Sequence, residues 1–517
     1  MIKYGNVNCK LLKLQAIASI IGCLLLAGTC INAQNLRSAS NCVILNIKQK
    51  NASVSDTFRL AIYEHWYPGA KPTKIFLSKV KVNGDFQFEI PNIKGPTYTD
   101  IFKDFSPTNN PINILHLYII EPKDEITIFI SSNVQNPVFQ NDYEVTFSGI
   151  GSSKFLCKQR MDKLVSTQLT SNVSVQYLQS MAKENIFRQT IETGEALLKG
   201  YKNKMRKEAY NILQADFYSS VWIRQIQQFE YAARLGLVKD EYFKMANTLR
   251  NLISNREKSL SPESKNISVT YPIFALNLAG IGKGKGGNSL RFKDKFIPDI
   301  YKELMDVYKG ELRDRVLVFF ALNILNRKAG QGIFNDIISN IETSYYREVL
   351  DIHGDNNLVG KPAYNFSLED TSGRLVKMEE FMGKVAFVDF WFTGCAGCNQ
   401  YYDKVLAKVE EHFKGNSNVI FVAISIDTDK KRWMEGIRSG KYTSPEVVNL
   451  YTNGKGEAHP VIENYRVLSY PRPVLIDRNG NIFSNNNDEL RSGGAEKLIE
   501  TIDKALEKNQ VDHGNMN

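Results

Sequence analysis

Alternation of apolar and polar residues dominates the first third of the chain. Residues 80–90 carry Asn83-Gly84 between two runs in which every second residue is apolar. An Asn-Gly pair between alternating runs is typical of a β-hairpin. Further strand-like runs follow at residues 115–120, 126–130 and 143–147. The pattern predicts a small antiparallel β-domain over residues 36–150, arranged as a sandwich.

Helical periodicity replaces this alternation between residues 153 and 350. Val316, Phe319, Phe320 and Ile324 recur at intervals of three and four, which places them on one helical face. The segment therefore predicts an α-helical middle region. A glycine-rich stretch at 282–287 formally matches G-x-G-x-x-G, but it follows a predicted helix rather than a strand. We interpret it as a solvated loop.

From residue 355 to 510 strand and helix patterns alternate, which indicates an α/β fold. Val385 to Trp391 is a nearly continuous apolar run that suits a buried central strand, and a helix is predicted from Cys395. The whole chain is thus predicted to be multidomain: an N-terminal antiparallel β-domain, an α-helical middle region and a C-terminal α/β domain.

The first 33 residues differ from the rest of the chain. Lys3, Lys10 and Lys13 precede an apolar run over 14–28, and small-residue cleavage is possible after Ala33. This layout predicts a secretory signal peptide, and hence a periplasmic or cell-envelope location. Two alternatives are a retained membrane anchor and a lipoprotein signal, in which Cys30 would carry a lipid tether.

The cysteine content and the charge distribution exclude two classes of protein, disulfide scaffolds and nucleic-acid-binding proteins. Removal of the signal peptide leaves four of the seven cysteines, Cys42, Cys157, Cys395 and Cys398, too few for a disulfide scaffold in 517 residues. Cys42 and Cys157 could bridge or be separate thiols. The formal charge of +10 is spread along the chain without a basic stripe, so no nucleic-acid partner is predicted.

Cys395 and Cys398 carry the candidate chemistry. A two-residue spacer on the first helical turn lets two sulfurs join with little backbone movement. The first sulfur then lies near the helix N-terminus, where unpaired N–H groups favour the thiolate. Half of a zinc site has the same spacing, but the sequence has no second C-x-x-C. We therefore predict a redox pair with no metal and no cofactor.

The segment 387–398, Phe-Val-Asp-Phe-Trp-Phe-Thr-Gly-Cys-Ala-Gly-Cys, resembles the thioredoxin family, and in particular its exported TlpA/ResA-like branch. Residues 470–477 are similar to that family's cis-proline loop and the strand after it. The resemblance spans about 150 residues and implies a thioredoxin fold. Phe147 to Ser152, after Glu121-Pro122, is similar to a β-domain of unknown function that precedes such modules in exported Gram-negative proteins.

The resemblance implies a role for each matching residue. Cys395 would be the attacking thiolate and Cys398 the resolving sulfur, and together they would form the redox-active disulfide. Asp389 would be the buried acid that exchanges a proton with Cys398. The remaining residues would bind substrate or pack beside the pair: Trp391, Tyr470, Pro471 in its cis form, and Arg472.

Together these features predict a thiol-disulfide oxidoreductase that reduces protein disulfides and receives electrons from a membrane donor. Gly394 replaces the Trp that thioredoxins often carry before the first cysteine, and Arg472 replaces a small hydroxyl residue. Both departures put thioredoxin-like specificity in doubt. The alternative is an envelope binding protein whose thioredoxin fold serves docking or redox sensing.

Overall fold

The structure is a computed structural model that describes most of the chain. The residues it describes are 41–50, 56–67, 69–81, 84–104, 112–132, 140–167, 185–236, 242–283, 294–325 and 327–511. The predicted signal peptide and Cys30 lie outside them, as do residues 284–287 of the glycine-rich stretch. Within the described ranges, no helix combines the length and the apolar character that crossing a membrane requires.

The first part of the chain folds into two β-sheets. Their orders are β4-β5-β1-β8-β9 and β3-β2-β6-β7. The strands are β1 Val43–Gln49, β2 Thr57–Tyr63, β3 Lys74–Leu77, β4 Lys79–Val80, β5 Phe86–Ile90, β6 Thr97–Asp104, β7 Ile112–Ile120, β8 Glu125–Ser131 and β9 Glu144–Ile150. All pairs are antiparallel except β1 with β8, which is parallel.

Alternation along the strands explains why the two sheets pack face to face. Val43, Leu45 and Ile47 of β1 are fully buried, whereas the residues between them are not. They share one core with residues of the other sheet, and the rings of Phe58 and Phe86 meet edge-on with centroids 4.9 Å apart. The two sheets therefore pack against each other around a shared core.

Ten helices follow among the described residues of the middle region. They are α1 Ser152–Thr167, α2 Asn185–Tyr201, α3 Lys207–Arg234, α4 Tyr242–Glu257, α5 Pro262–Ile267, α6 Tyr271–Gly280, α7 Ile297–Val307, α8 Gly310–Ile324, α9 Lys328–Asn340 and α10 Ser344–Asn357. The stretch Val316 to Leu322 of α8 is buried on every side, so α8 is the centre of this region. Its core continues into the sandwich through Tyr63 and Tyr98, so the two regions pack as one body.

The last region is built on a seven-stranded sheet of order β11-β10-β14-β13-β12-β15-β16. The strands are β10 Ser367–Asp370, β11 Leu375–Lys377, β12 Val385–Trp391, β13 Val419–Ser425, β14 Val448–Tyr451, β15 Arg472–Ile476 and β16 Ile482–Ser484. The α-helices are α11 Ala396–Tyr401, α12 Ala407–His412, α13 Lys430–Arg438, α14 Pro460–Asn464, α15 Asn487–Leu490 and α16 Gly494–Val511. A π-helical turn, Tyr402–Leu406, joins α11 to α12.

Strand β12 lies inside the sheet, and every one of its residues is buried. It pairs in parallel with β13 and antiparallel with β15, and separate apolar cores lie on the two faces of the sheet. The predicted fold class is confirmed in all three parts. The residue limits given to the domains remain predictions.

Candidate active site

The pair of Cys395 and Cys398 lies at the turn that connects β12 to α11. The chain leaves β12 at Trp391, turns through 392–394 and starts α11 with Cys395 as the N-cap residue. Cys395 and Cys398 are joined in a disulfide, and the backbone N–H of Cys398 donates to Cys395 Sγ at 3.0 Å. Both are buried, Cys395 with 6% of its surface exposed and Cys398 with 1%. The outer sulfur therefore lies at a helix N-terminus, where a thiolate is favoured.

An acidic residue that follows the neighbouring strand β13 fixes the loop before the pair. The carboxylate of Asp427 accepts the Thr393 backbone N–H at 3.2 Å and the Thr393 hydroxyl at 2.8 Å. From the other side, Arg432 Nη2 donates to the Thr393 carbonyl at 2.6 Å. These contacts set the position from which Cys395 begins the helix.

Asp389 lies on β12, on the face that α11 covers. Side chains alternate along a strand, so Asp389 shares its face with Phe387 and Trp391. The first packs in the core beneath α11 and α16, and the second packs with both cysteines. Burial raises the pKa of Asp389 to about 8, although the positive charge of Arg491 lowers it. Among the described residues its Oδ1 has no hydrogen-bond partner.

The loop that precedes β15 closes over the helix start. The Tyr470–Pro471 peptide bond is cis, as the resemblance implied. A Cβ on Gly397 would lie 3.4 Å from the Tyr470 carbonyl oxygen and 3.5 Å from Pro471 Cδ, so the loop lies directly against the cysteine pair's spacer. Arg491 Nη1 donates to the Pro471 carbonyl at 3.3 Å, and the Tyr470 ring meets Phe392 edge-on.

Three of the four predicted substrate-binding residues, Trp391, Pro471 and Arg472, are buried. Trp391 is wholly buried and stacks on Tyr442, whose hydroxyl accepts the Gly394 N–H at 3.0 Å. Arg472 is 7% exposed, and its Nη1 donates to the Asn485 carbonyl at 3.2 Å. Burial lowers the pKa of Arg472 to about 10. Trp391 thus supports the redox pair from beneath, and a role for Arg472 in substrate binding stays a prediction.

The structure brings most of the predicted residues into one cluster: Cys395, Cys398, Trp391 and Tyr470. Sequence reasoning missed Asp427, Arg491 and Tyr442. Only Asp427 had a usable signal, because an acid directly after a buried parallel strand lies at the carboxyl edge of the sheet, next to the end of β12.

Among the residues that the structure describes, the two other cysteines are free thiols and belong to a different part of the molecule. Cys42 is half-buried and Cys157 is buried. Burial raises the pKa of the Cys157 thiol to about 12. Of the two possibilities left open by the sequence, the structure has the separate thiols.

The comparisons with known proteins agree with this geometry. Residues 383–482 match the family model described as "Thioredoxin-like". The C-terminal region is a thioredoxin-like domain. The match covers β12, the redox pair, the cis-proline loop and β15, which are the elements that form the site.

Curated relatives are similar to part of the chain. The chain is 26% identical over 147 residues to "Thiol-disulfide oxidoreductase ResA" of Bacillus thuringiensis subsp. konkukian, which covers 28% of this chain and 78% of the relative. It is 28% identical over 123 residues to ResA of Bacillus subtilis, covering 24% and 64%. The predicted resemblance and the predicted enzyme class, thiol-disulfide oxidoreductase, are confirmed.

A solved structure is also similar to part of the chain. The thioredoxin domain of a thiol-disulfide oxidoreductase from Bacteroides vulgatus is 25% identical, and the alignment covers 28% of this chain and 96% of that domain with a TM-score of 0.24.

Proposed function

We propose that this protein is an exported enzyme that reduces disulfides of protein substrates through the dithiol of Cys395 and Cys398. One observation carries the proposal: the two sulfurs are joined at a helix N-terminus that follows the strand carrying the buried carboxyl group of Asp389. The joined pair is the oxidised form of such a dithiol, which is the state that one turnover of reduction leaves behind.

The reaction balances with two electrons per disulfide. In the reduced enzyme the Cys395 thiolate attacks one sulfur of the substrate disulfide, and the other substrate sulfur leaves as a thiolate and takes up a proton. Cys398 then loses its proton and attacks Cys395 Sγ in the mixed disulfide. The second substrate thiol is released, and the Cys395–Cys398 disulfide forms.

Asp389 is proposed as the base that receives the Cys398 proton. A carboxyl group with a pKa of about 8 exists in both forms near neutral pH, so it can accept a proton from a thiol and later return it. The unpartnered Oδ1 leaves an oxygen available for that transfer.

Each turnover consumes two electrons, so the enzyme needs a reductant. We propose a membrane-bound donor, with the protein held in the periplasm or at the cell envelope and with a lipid on Cys30 as the alternative to a freely released form. The predicted signal peptide supports this location.

Serine variants of the full chain test the dithiol. Wild-type protein should reduce insulin disulfides with dithiothreitol as reductant. Cys395→Ser should abolish turnover, and Cys398→Ser should accumulate mixed disulfides through Cys395, visible on non-reducing gels. Cys42→Ser, which removes a thiol in the β-domain, is the matched control and should retain wild-type turnover. Adducts that form equally in Cys395→Ser protein would contradict the proposed roles.

A further inference from the structure

A cavity of about 290 Å³ lies between the β-domain and the helical region. Trp66, which follows β2, lines it from the β-domain, and Asn266 of α5, Arg315 of α8 and Tyr346 of α10 line it from the helices. The described residues that line it all precede the thioredoxin-like domain, so it is separate from the redox pair. A volume of this size is at the lower end of the range for small-molecule sites.

Two opposite charges on α8 line this cavity without pairing. Glu311 and Arg315 are four residues apart, about 6 Å along the helix axis, a spacing at which opposite charges can pair. Each bonds to Asn266 instead: Glu311 Oε2 accepts from Asn266 Nδ2 at 3.1 Å, and Arg315 Nη1 donates to the Asn266 carbonyl. Neither charge has a salt-bridge partner within the described residues. Glu64, another acid of the lining, already forms an ion pair with Lys74 at 3.4 Å.

The cation lies at the inner end of the cavity and the acid at its opening. Arg315 is 4% exposed, whereas Glu311 is exposed. The hydroxyl of Tyr346 lies near the cation, because the positive charge of Arg315 lowers the pKa of Tyr346, which burial raises to about 12. Tyr346 is 1% exposed, and among the described residues its hydroxyl has no hydrogen-bond partner. A buried cation beside an unused hydroxyl donor suits a carboxylate.

Much of the remaining lining is aromatic or apolar. The ring of Trp66 packs against Phe319 of α8 with centroids 6.0 Å apart. The lining also includes Tyr63, Tyr98, Ile267 and Val269. Such a surface accepts an aromatic group, because rings pack favourably edge-to-face or in offset stacks.

We propose that this cavity binds a free aromatic amino acid. The α-carboxylate accepts hydrogen bonds from Arg315 and Tyr346, the α-ammonium group meets Glu311 at the opening, and the ring packs beside Trp66. An α-amino acid carries both charges on one carbon, so it can bridge two charges one helical turn apart that do not pair with each other. The inference goes beyond the proposed function and does not depend on it.

Isothermal titration calorimetry of the full-length protein with L-phenylalanine tests the site. Two analogues each lack one charge: 2-phenylethylamine has no carboxylate, and 3-phenylpropionate has no amine. We expect L-phenylalanine to bind with a Kd of about 1 mM or lower. Each analogue should bind at least about tenfold more weakly, because one charged hydrogen-bonding group is lost.

Three variants assign the binding to this cavity. Arg315→Met should abolish measurable binding. Tyr346→Phe removes only the unpartnered hydroxyl and keeps the buried ring, so the protein should fold at least as stably as wild type and bind L-phenylalanine about fivefold more weakly. Tyr242→Phe is the matched control: its hydroxyl donates to Glu230 Oε1 at 2.8 Å in another part of the helical region. It should be less stable than wild type and bind L-phenylalanine equally well.

The outcomes separate this inference from the dithiol mechanism. Wild-type protein that does not bind L-phenylalanine at millimolar concentrations would overturn the inference. Equally tight binding of either analogue, or wild-type affinity in both Arg315→Met and Tyr346→Phe, would overturn it too, since the two charges or the cavity would then have no part in binding. Insulin reduction measured on the same protein tests the proposed function separately, because the titration does not depend on turnover.

Discussion

At the scale of single residues, Asp389 is an ionisable side chain in buried, largely apolar surroundings. It is the one acidic residue in a strand whose every position is buried. Keeping a carboxylate charged in such a place is costly, so the group holds its proton until well above the usual pH. That property links the redox site to the stability of the fold.

Asp389 should make the oxidised protein less stable as the pH rises. Below pH ~4 the carboxyl group is protonated in both the folded and the unfolded state. Between that value and about 8 the unfolded chain releases the proton and the folded protein keeps it, so the free energy of unfolding falls. Asp389→Asn should remove this loss. The free energy of unfolding of the variant, relative to that of wild type, should therefore rise by up to about 1.4 kcal/mol per pH unit over this range.

Urea unfolding of the oxidised protein at pH 5, 6, 7 and 8 measures this effect. Asp488→Asn makes the same chemical change at an exposed side chain and serves as the matched control. A difference between Asp389→Asn and wild type that stays constant over the series would show that the carboxyl group is not held protonated by burial.

At the scale of elements, the connection from β12 into α11 contains two glycines in different backbone conformations. Gly394 has a φ of +97°, a conformation that costs any residue with a Cβ. Gly397 lies within α11, and a Cβ there meets its neighbours at ordinary contact distances of 3.4 Å and more. The two positions therefore respond oppositely to the same substitution.

Gly394→Ala should lower the free energy of unfolding by about 1–2 kcal/mol, because the strained backbone at the helix start gains no compensating contact. Gly397→Ala should leave it unchanged or raise it by up to about 1 kcal/mol, since alanine favours the helix. Denaturant unfolding of the two oxidised variants against wild type measures the difference. A Gly394→Ala variant as stable as wild type would mean that the turn does not require a positive φ.

At the scale of the whole molecule, Asn357 connects the helical region to the thioredoxin-like domain. It is 1% exposed. Its Nδ2 donates to the Asn464 carbonyl at 2.8 Å, and its own carbonyl accepts from Asn485 Nδ2 at 2.7 Å. A buried polar junction of this kind orients two regions, because each group needs its partner in place.

Asn357→Ala should lower the free energy of unfolding by about 1–3 kcal/mol, because it leaves the Asn464 carbonyl without that donor. It should also separate the thermal transitions of the two regions in calorimetry. Asn323→Ala is the matched control: Asn323 Nδ2 donates to the Phe319 carbonyl within α8, so no contact between regions is lost. A single unshifted transition in Asn357→Ala protein would contradict a structural role for the junction.

The sequence by itself determined the elements and the position of the joined cysteine pair. Alternation predicted the sandwich strands, a continuous apolar run predicted β12, and Cys395 with Cys398 followed from spacing and helix position. These features depend on residues close together in sequence, and local periodicity is sufficient to reveal them.

Only the tertiary structure decided which distant residues complete the site. Residues far apart in the chain meet in the parallel pairing of β1 with β8, in the hydrogen bond from Thr393 to Asp427 and in the hydrogen bond from Arg466 to Leu322. The burial of Arg472 likewise depends on the packing of other parts of the chain. Such contacts depend on how preformed elements pack against one another. Local patterns do not record that packing. The position of Asp427 after a buried strand indicates the edge of the sheet but not its contact with Thr393, and an arginine has the same signature in sequence whether it meets solvent or another region of the fold.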